Sequence, residues 1–312
     1  MRALAHIENV SRTSRAPALL ATFLAASVHG TPEGAPSGPA TGPCRVCDMG
    51  RDRDGFLVHT VESDYQLGRT KVRVLLPDRL EEGRRYRVVY VLPVEAGDGR
   101  RYGDGLAEIR KLGLHERHKL ICVAATFSHT PWYADHPTDR AVRQESYLLK
   151  VVLPFVERTY PALARCEGRL LLGFSKSGWG AWSLLLRNPK VFGKAAAWDA
   201  PLTQARPDRW GMKEVFATQE NFMKYHVPSL LARAAGKLGK QPRLALLGYG
   251  NFRTHHQAVH EQMLALKVPH SYADGPRRQH HWAGGWVEEA VELLAKTARD
   301  SAQPQASPTR QR

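Results

Sequence analysis

The sequence predicts an α/β protein with a mostly parallel sheet covered by helices on both faces, and three observations carry that expectation. Short, nearly continuous apolar runs recur along the chain: Leu120–Ala125, Arg169–Phe174, Lys194–Trp198 and Arg243–Leu247. Amphipathic stretches of helical spacing separate them, as a sheet covered on both sides by crossover helices requires. The chain is also long and apolar enough for a large core: its 312 residues are 43% hydrophobic and 24% charged. That balance excludes disorder over most of the length. A mean hydropathy of -0.40 and the absence of any apolar run near the ~18 residues of a spanning helix exclude an integral membrane segment.

From the N-terminus, residues 1–30 read as an export signal. Arg2, Arg12 and Arg15 precede the apolar stretch Ala16–Ala26, small residues run through Val28-His29-Gly30, and cleavage is expected near Gly30. Glu8 in the basic segment favours the alternative, a helix on a cytoplasmic enzyme. No Cys follows the apolar stretch directly, so a lipid anchor is not supported. Residues 31–54, rich in Pro, Gly, Ser and Thr and without periodicity, read as a linker. Within them Cys44-Arg45-Val46-Cys47 has the spacing of a metal or redox pair. A structural zinc site needs four ligands, however, and there is no second pair, so idle thiols are the preferred reading and a strained local bridge the alternative. Cys122 reads as a small buried hydrophobe.

The folded domain is expected over residues 55–298. It opens with β-rich runs at Phe56–Val61, Thr70–Leu76 and Arg87–Leu92, the last ended by Pro93. Helical spacing marks Glu145–Tyr160, Ser177–Arg187, Asn221–Leu238, His255–Lys267 and Trp286–Ala298. A last strand reads at Pro269–Pro276, and residues 299–312 have the composition of a disordered tail. The balance of 45 Lys+Arg against 30 Asp+Glu gives +15. Residues 1–43 hold three Arg and two Glu, so +14 belongs to the rest. Such a charge favours polyanions. The basic residues are nevertheless scattered, without zinc-finger spacing, an RNP-type aromatic run or a dense Lys/Arg block, so no nucleic-acid partner is expected.

Chemistry concentrates in Arg169–Ala181, a strand, a tight turn and a helix start containing Gly173-Phe174-Ser175-Lys176-Ser177-Gly178. A Ser in a sharp strand-to-helix turn is lifted above the sheet edge, provided that small residues flank it. Ser175 fits that register. Ser177 does not, because Trp179 would fill the position that must be small. The Lys176 backbone N–H, at the start of the helix, is then aimed at a developing oxyanion. A Ser capping an ordinary βα turn is the plainer alternative.

With these residues in view, positions ~56–298 resemble a family of esterases with the α/β-hydrolase fold, the group of the feruloyl esterases, the S-formylglutathione hydrolase type and the mycolyltransferases. The features that carry the resemblance are the β-rich start, the strand running into Val88–Val94, the helix Glu145–Glu157, the elbow, Asn188–Gly193 and the late Gln279-His280-His281-Trp282. The resemblance implies a Ser, acid, His triad and no cofactor or metal. It places the base at His280, from a His-x-Trp pattern, with His281 as runner-up.

Two positions depart from that pattern. Where the family has His-Gly after the oxyanion strand, this chain has Pro93-Val94-Glu95, so the second oxyanion donor is sought at the backbone of Val94 or Glu95. Where it has a catalytic Asp, after the strand matched by Arg243–Leu247, this chain has Asn251. An amide accepts a hydrogen bond but brings no charge to an imidazolium. Asp199 is the preferred substitute, since it ends the strand next to the elbow strand and neighbouring parallel strands converge at their carboxyl ends. A turn-forming Asp ahead of Pro201 is the other reading, and both stay open.

His255, His256 and His260 read as a polar helix face rather than metal ligands. Trp132 and Tyr133, in a Pro-bearing loop after a strand end, are candidate substrate contacts or simply loop packing. The expectation is an exported serine esterase acting on a small-molecule or carbohydrate-linked ester through an acyl-enzyme. Its alternatives are a catalytically degenerate binding protein of the cell envelope and an acyltransferase.

Overall fold

Nine strands form one sheet within residues 44–296, the part of the chain that the computed structural model describes. They are β1 Cys44–Arg51, β2 Leu57–Ser63, β3 Arg69–Leu75, β4 Arg87–Val91, β5 Leu120–Ala125, β6 Arg169–Phe174, β7 Lys194–Trp198, β8 Leu244–Tyr249 and β9 His270–Arg277. Their order across the sheet is β1-β2-β3-β5-β4-β6-β7-β8-β9. The pairs β1/β2, β2/β3 and β3/β5 are antiparallel, and every pair from β5/β4 to β8/β9 is parallel. This is the α/β-hydrolase fold.

Successive side chains of a strand point to opposite faces, and here both faces are buried. In β4, Val88 and Tyr90 enter one core while Val89 and Val91 enter the other; in β7, Ala195 and Ala197 face one way and Ala196 and Trp198 the other. The first core is closed by the helices Leu153–Thr159, Ser175–Arg187, Val227–Ala234 and Arg253–Ala265, and the second by Gly105–Lys111 and Val287–Ala295. Alanines on β7 keep the centre thin, which leaves room for Trp179 and Trp182 from the elbow helix.

Two expectations need correcting. Residues 44–51, read as linker, form β1 and pair with β2 along its length. Composition misleads there because an edge strand meets the sheet on one side only and needs few apolar residues. The single helix expected over Asn221–Leu238 is instead Gln219–Met223 followed by Val227–Ala234. Pro228 has no N–H to continue a helix and sits in the first turn of a new one. Cys47 is a free thiol, and the Cys44 side chain lies outside the described residues, as do the expected export signal (1–30), most of the expected linker and the expected tail (299–312). Among the described residues no helix is long and apolar enough to cross a membrane.

Candidate active site

Phe174 and Trp198 are register partners at the ends of β6 and β7. The residues that follow them, Ser175 and Asp199, therefore leave the sheet from neighbouring strands. Both do so with left-handed backbone, at φ 52° and 41°, a conformation that the surroundings must hold in a residue with a Cβ. At Ser175 the means are visible. A Cβ on Gly173 would lie 2.3 Å from the Ser177 carbonyl oxygen, so only glycine allows so tight a turn. The buried Ser177 hydroxyl accepts from Phe174 N–H (3.1 Å) and donates to Phe174 O (2.9 Å). Ser175 thus stands half-exposed at the apex with Ser177 as its brace. The N–H of Lys176, in the first turn of the helix, has no partner inside that helix. Burial pushes the Lys176 ammonium down, partly offset by the Glu95 carboxylate.

Asp199 is fully buried. Its Oδ1 accepts from Asn251 N–H and Phe252 N–H, both at 2.7 Å, and its Oδ2 meets Asn251 N–H at 2.9 Å and His280 Nδ1 at 2.6 Å. Gly250 makes room for this, since a Cβ there would lie 2.6 Å from Oδ2. Burial alone would push the carboxyl up. The hydrogen bonds from His280 and from the backbone of Gly250, Phe252 and Asn251 outweigh it and hold the group below its ordinary value. A carboxylate only accepts, so His280 Nδ1 donates, and in the neutral ring Nε2 is the free base.

The His280 ring is set among Phe174, Tyr102 and Phe252, with centroids 5.1, 5.5 and 6.0 Å away. Among the described residues no hydrogen bond joins Ser175 Oγ to that ring. Such contacts commonly tighten only when substrate is bound.

The other candidates fall elsewhere. His281, the runner-up base, packs against the Gly103 backbone, and its Nδ1 accepts from Ala283 N–H at 3.1 Å. The Asn251 side chain is exposed, and its contribution is the main-chain N–H given to Asp199. Of the two readings of Trp132 and Tyr133, their full burial favours loop packing. Trp132 packs edge-on against Trp179, and the Tyr133 hydroxyl donates to Pro93 O at 2.5 Å, bracing the loop that follows β4. In that loop Val94 is buried, Gly97 N–H donates to Phe127 O at 2.8 Å, and the Glu95 carboxylate accepts from Arg101 N–H at 2.5 Å.

The three histidines of helix Arg253–Ala265 diverge rather than forming one polar face. His255 Nδ1 meets the Thr203 hydroxyl (2.7 Å), and His260 Nδ1 meets His270 Nε2 (2.8 Å). His256 is buried, with Nε2 accepting from Ala200 N–H at 2.8 Å. Tyr102, Phe252 and Gly250 also belong to the site. No residue-type signal marks them, because their contributions are ring faces, backbone N–H groups and the space left by a missing Cβ.

The family model described as Putative esterase matches residues 120–289, more than half of the chain. No curated protein matches the sequence. Among solved structures, the fluorophosphonate-binding serine hydrolase FphF of Staphylococcus aureus, with substrate bound, is 15% identical, with 78% of this chain and 99% of that one covered at a TM-score of 0.65. An S-formylglutathione hydrolase from Agrobacterium tumefaciens is 14% identical over 80% of this chain and 98% of that one, at a TM-score of 0.60. MPT51 (FbpC1) of Mycobacterium tuberculosis is 13% identical over 81% and 97%, at 0.53. At such identities the likeness is one of fold. The matched segment spans β5 to the helix after His280, so it contains the elbow, the strand end bearing Asp199 and the late histidine, and the chain belongs to the esterase family of α/β-hydrolases.

Proposed function

We propose that the protein is a serine hydrolase that cleaves a carboxylic ester through an acyl-enzyme, with Ser175 as nucleophile, His280 as base and Asp199 as the acid that orients it. Membership of the esterase family supports ester hydrolysis in general. The observation that carries the finer reading is the 2.6 Å contact of Asp199 Oδ2 with His280 Nδ1, beside a Ser175 held in a left-handed turn. In this reading Ser175 Oγ attacks the ester carbonyl while His280 Nε2 takes its proton. The negative charge on the carbonyl oxygen is met by the Lys176 N–H and by the N–H of Val94 or Glu95. His280 then returns the proton to the leaving alcohol, and water repeats the sequence on the acyl-enzyme. Asp199 stabilises the imidazolium formed at each stage.

The reading of a degenerate binding protein drew on the missing His-Gly after β4 and on an amide at the acid position; the carboxylate against His280 answers the second motive, and the first stays, with Pro93-Val94-Glu95 in place of His-Gly. An acyltransferase would use the same acyl-enzyme and differ only in the acceptor. Export, argued from residues 16–26, stays part of the proposal.

The deciding experiment is labelling with a fluorophosphonate probe alongside hydrolysis of a p-nitrophenyl ester. Ser175→Ala is expected to abolish labelling and to lower the rate on the order of 10⁶-fold with the fold intact. Labelling that persists in Ser175→Ala would place the nucleophile elsewhere.

A further inference from the structure

We propose that His256 is a positioning residue for Asp199: by accepting the Ala200 N–H at Nε2 it holds the left-handed turn from which the carboxylate reaches His280. This inference rests on the triad proposed above.

The acid of this chain stands at the end of β7 and spans to the turn after β8, where main-chain N–H groups receive it. That crossing depends on the peptide joining Asp199 to Ala200. Asp199 sits at φ 41°, and the orientation of the next peptide sets where its side chain aims. The Ala200 N–H is the group that His256 Nε2 binds, at 2.8 Å. Phe252, which gives its own N–H to Asp199 Oδ1, lies one helical turn before His256, and His256 N–H in turn bonds Phe252 O at 3.1 Å. Phe252 caps this helix, and its N–H is one that the helix itself leaves without a partner. The N-terminal turn of this helix therefore grips the carboxylate with a main-chain donor and the following peptide with a side-chain acceptor.

The residue type points the same way. His256 is 2% exposed, a position that an aliphatic side chain could fill without any polar atom. Accepting at Nε2 leaves the proton on Nδ1, and that nitrogen has no partner in hydrogen-bond geometry, although the Gly248 carbonyl faces the ring. A buried unpaired polar group is a standing cost that calls for a compensating role. Burial also pushes the ring down to about 4, which keeps Nε2 an acceptor at neutral pH.

Two sets of measurements test this. In ¹⁵N-histidine-labelled wild-type protein, His256 should appear neutral, protonated at Nδ1, with Nε2 coupled through the hydrogen bond to Ala200 N–H. A ring protonated at Nε2 overturns the proposal, and this readout needs neither a variant nor activity. In kinetics, His256→Leu should lower kcat by on the order of 10²-fold, as misplacement of a supporting group by about 1 Å does, with KM little changed. His256→Gln, whose amide oxygen can accept the same N–H, should recover most of that loss. In an Asp199→Asn background His256→Leu should cost almost nothing more, because the two changes disable one device. Equal losses in the Leu and Gln variants, or an undiminished loss in the Asn background, overturn the proposal. Crystals of His256→Leu should show the Asp199 carboxylate moved away from His280, and an unchanged contact would sink the idea even if the Ser175 test succeeds. Conversely, a failed Ser175 test with the expected tautomer and displacement would remove the triad reading and leave the positional role standing.

Discussion

Asp199→Asn preserves the size of the side chain and removes its charge. It also places an amide, which both donates and accepts, among three backbone N–H groups and an imidazole that all require an acceptor. A loss of about 10⁴ in kcat is expected, the cost of the same exchange in the worked serine-protease triad. Asn251→Ala should stay within a few-fold, since Asn251 serves through its main chain. Steady-state kinetics on the pair decides whether the acid has moved from β8 to β7. Acid stability follows from the same neighbourhood. His256, pushed from 6.5 down to about 4 by burial, takes up its proton later in the folded state than in the unfolded chain. As pH falls through 6.5 the unfolded state is favoured, and the loss accumulates until the folded ring also titrates near 4. The gap between the two values corresponds to a destabilisation on the order of a few kcal/mol. The buried His59 and His115 and the half-buried His118, His226 and His255 are lowered by the same cause and act in the same direction. Asp199 adds to this at lower pH, because its depressed carboxyl stabilises the fold above its unfolded value and loses that contribution as pH falls through the folded one. Urea denaturation at pH 7, 5.5 and 4 should show a steep decline over this window, shallower in His256→Leu.

The strand-to-helix turn shows what is legible in a sequence and what is not. Gly173, Ser175 and the need for a small residue at position 177 follow from steric rules that act within five residues, so the apex can be read directly. Ser177 as a brace is less obvious, because it depends on the hydroxyl turning back to the Phe174 peptide. Ser177→Ala should cost about 1 kcal/mol, the usual worth of such a hydrogen bond, while kcat stays within a few-fold; thermal unfolding and ester hydrolysis read the two effects separately. The strands β5, β6 and β7 are found at the expected bounds because burial on both faces demands unbroken apolar runs. Trp132 and Tyr133 illustrate the opposite case. Their loop has the residues of a binding surface, but whether aromatic rings face solvent or a neighbouring helix depends on contacts with Trp179 and Pro93 that are distant in sequence. The cup that receives Asp199 is built of peptide N–H groups, which every sequence carries and none advertises.

At the scale of the whole sheet, β1 and the turn after it tie the first antiparallel edge to the loop beside the active site. Arg73 on β3 is almost fully buried, and its guanidinium pairs with Asp52 (2.8 Å) and Asp104 (2.7 Å). Asp104 also caps the helix Gly105–Lys111, accepting from Leu106 N–H and Ala107 N–H. Arg100, in the loop that follows β4, pairs with Asp54 at 2.5 Å. Two of the carboxylates that compensate these arginines therefore lie in the segment whose composition resembles a linker. A chain beginning at Gly55 would keep every residue of the proposed triad and lose Asp52, Asp54 and β1. Removing a partner from a buried ion pair leaves an uncompensated charge, at a cost of about 3–5 kcal/mol, and the bared β2 edge invites pairing with other chains. A chain beginning at Cys44 keeps both carboxylates and the strand. Urea denaturation and size-exclusion chromatography of the two truncations should show the first to be destabilised by several kcal/mol and prone to associate, and the second to match the full-length protein. Equal stability of the two would mean that Arg73 is adequately held by Asp104 alone and that β1 is dispensable to the fold.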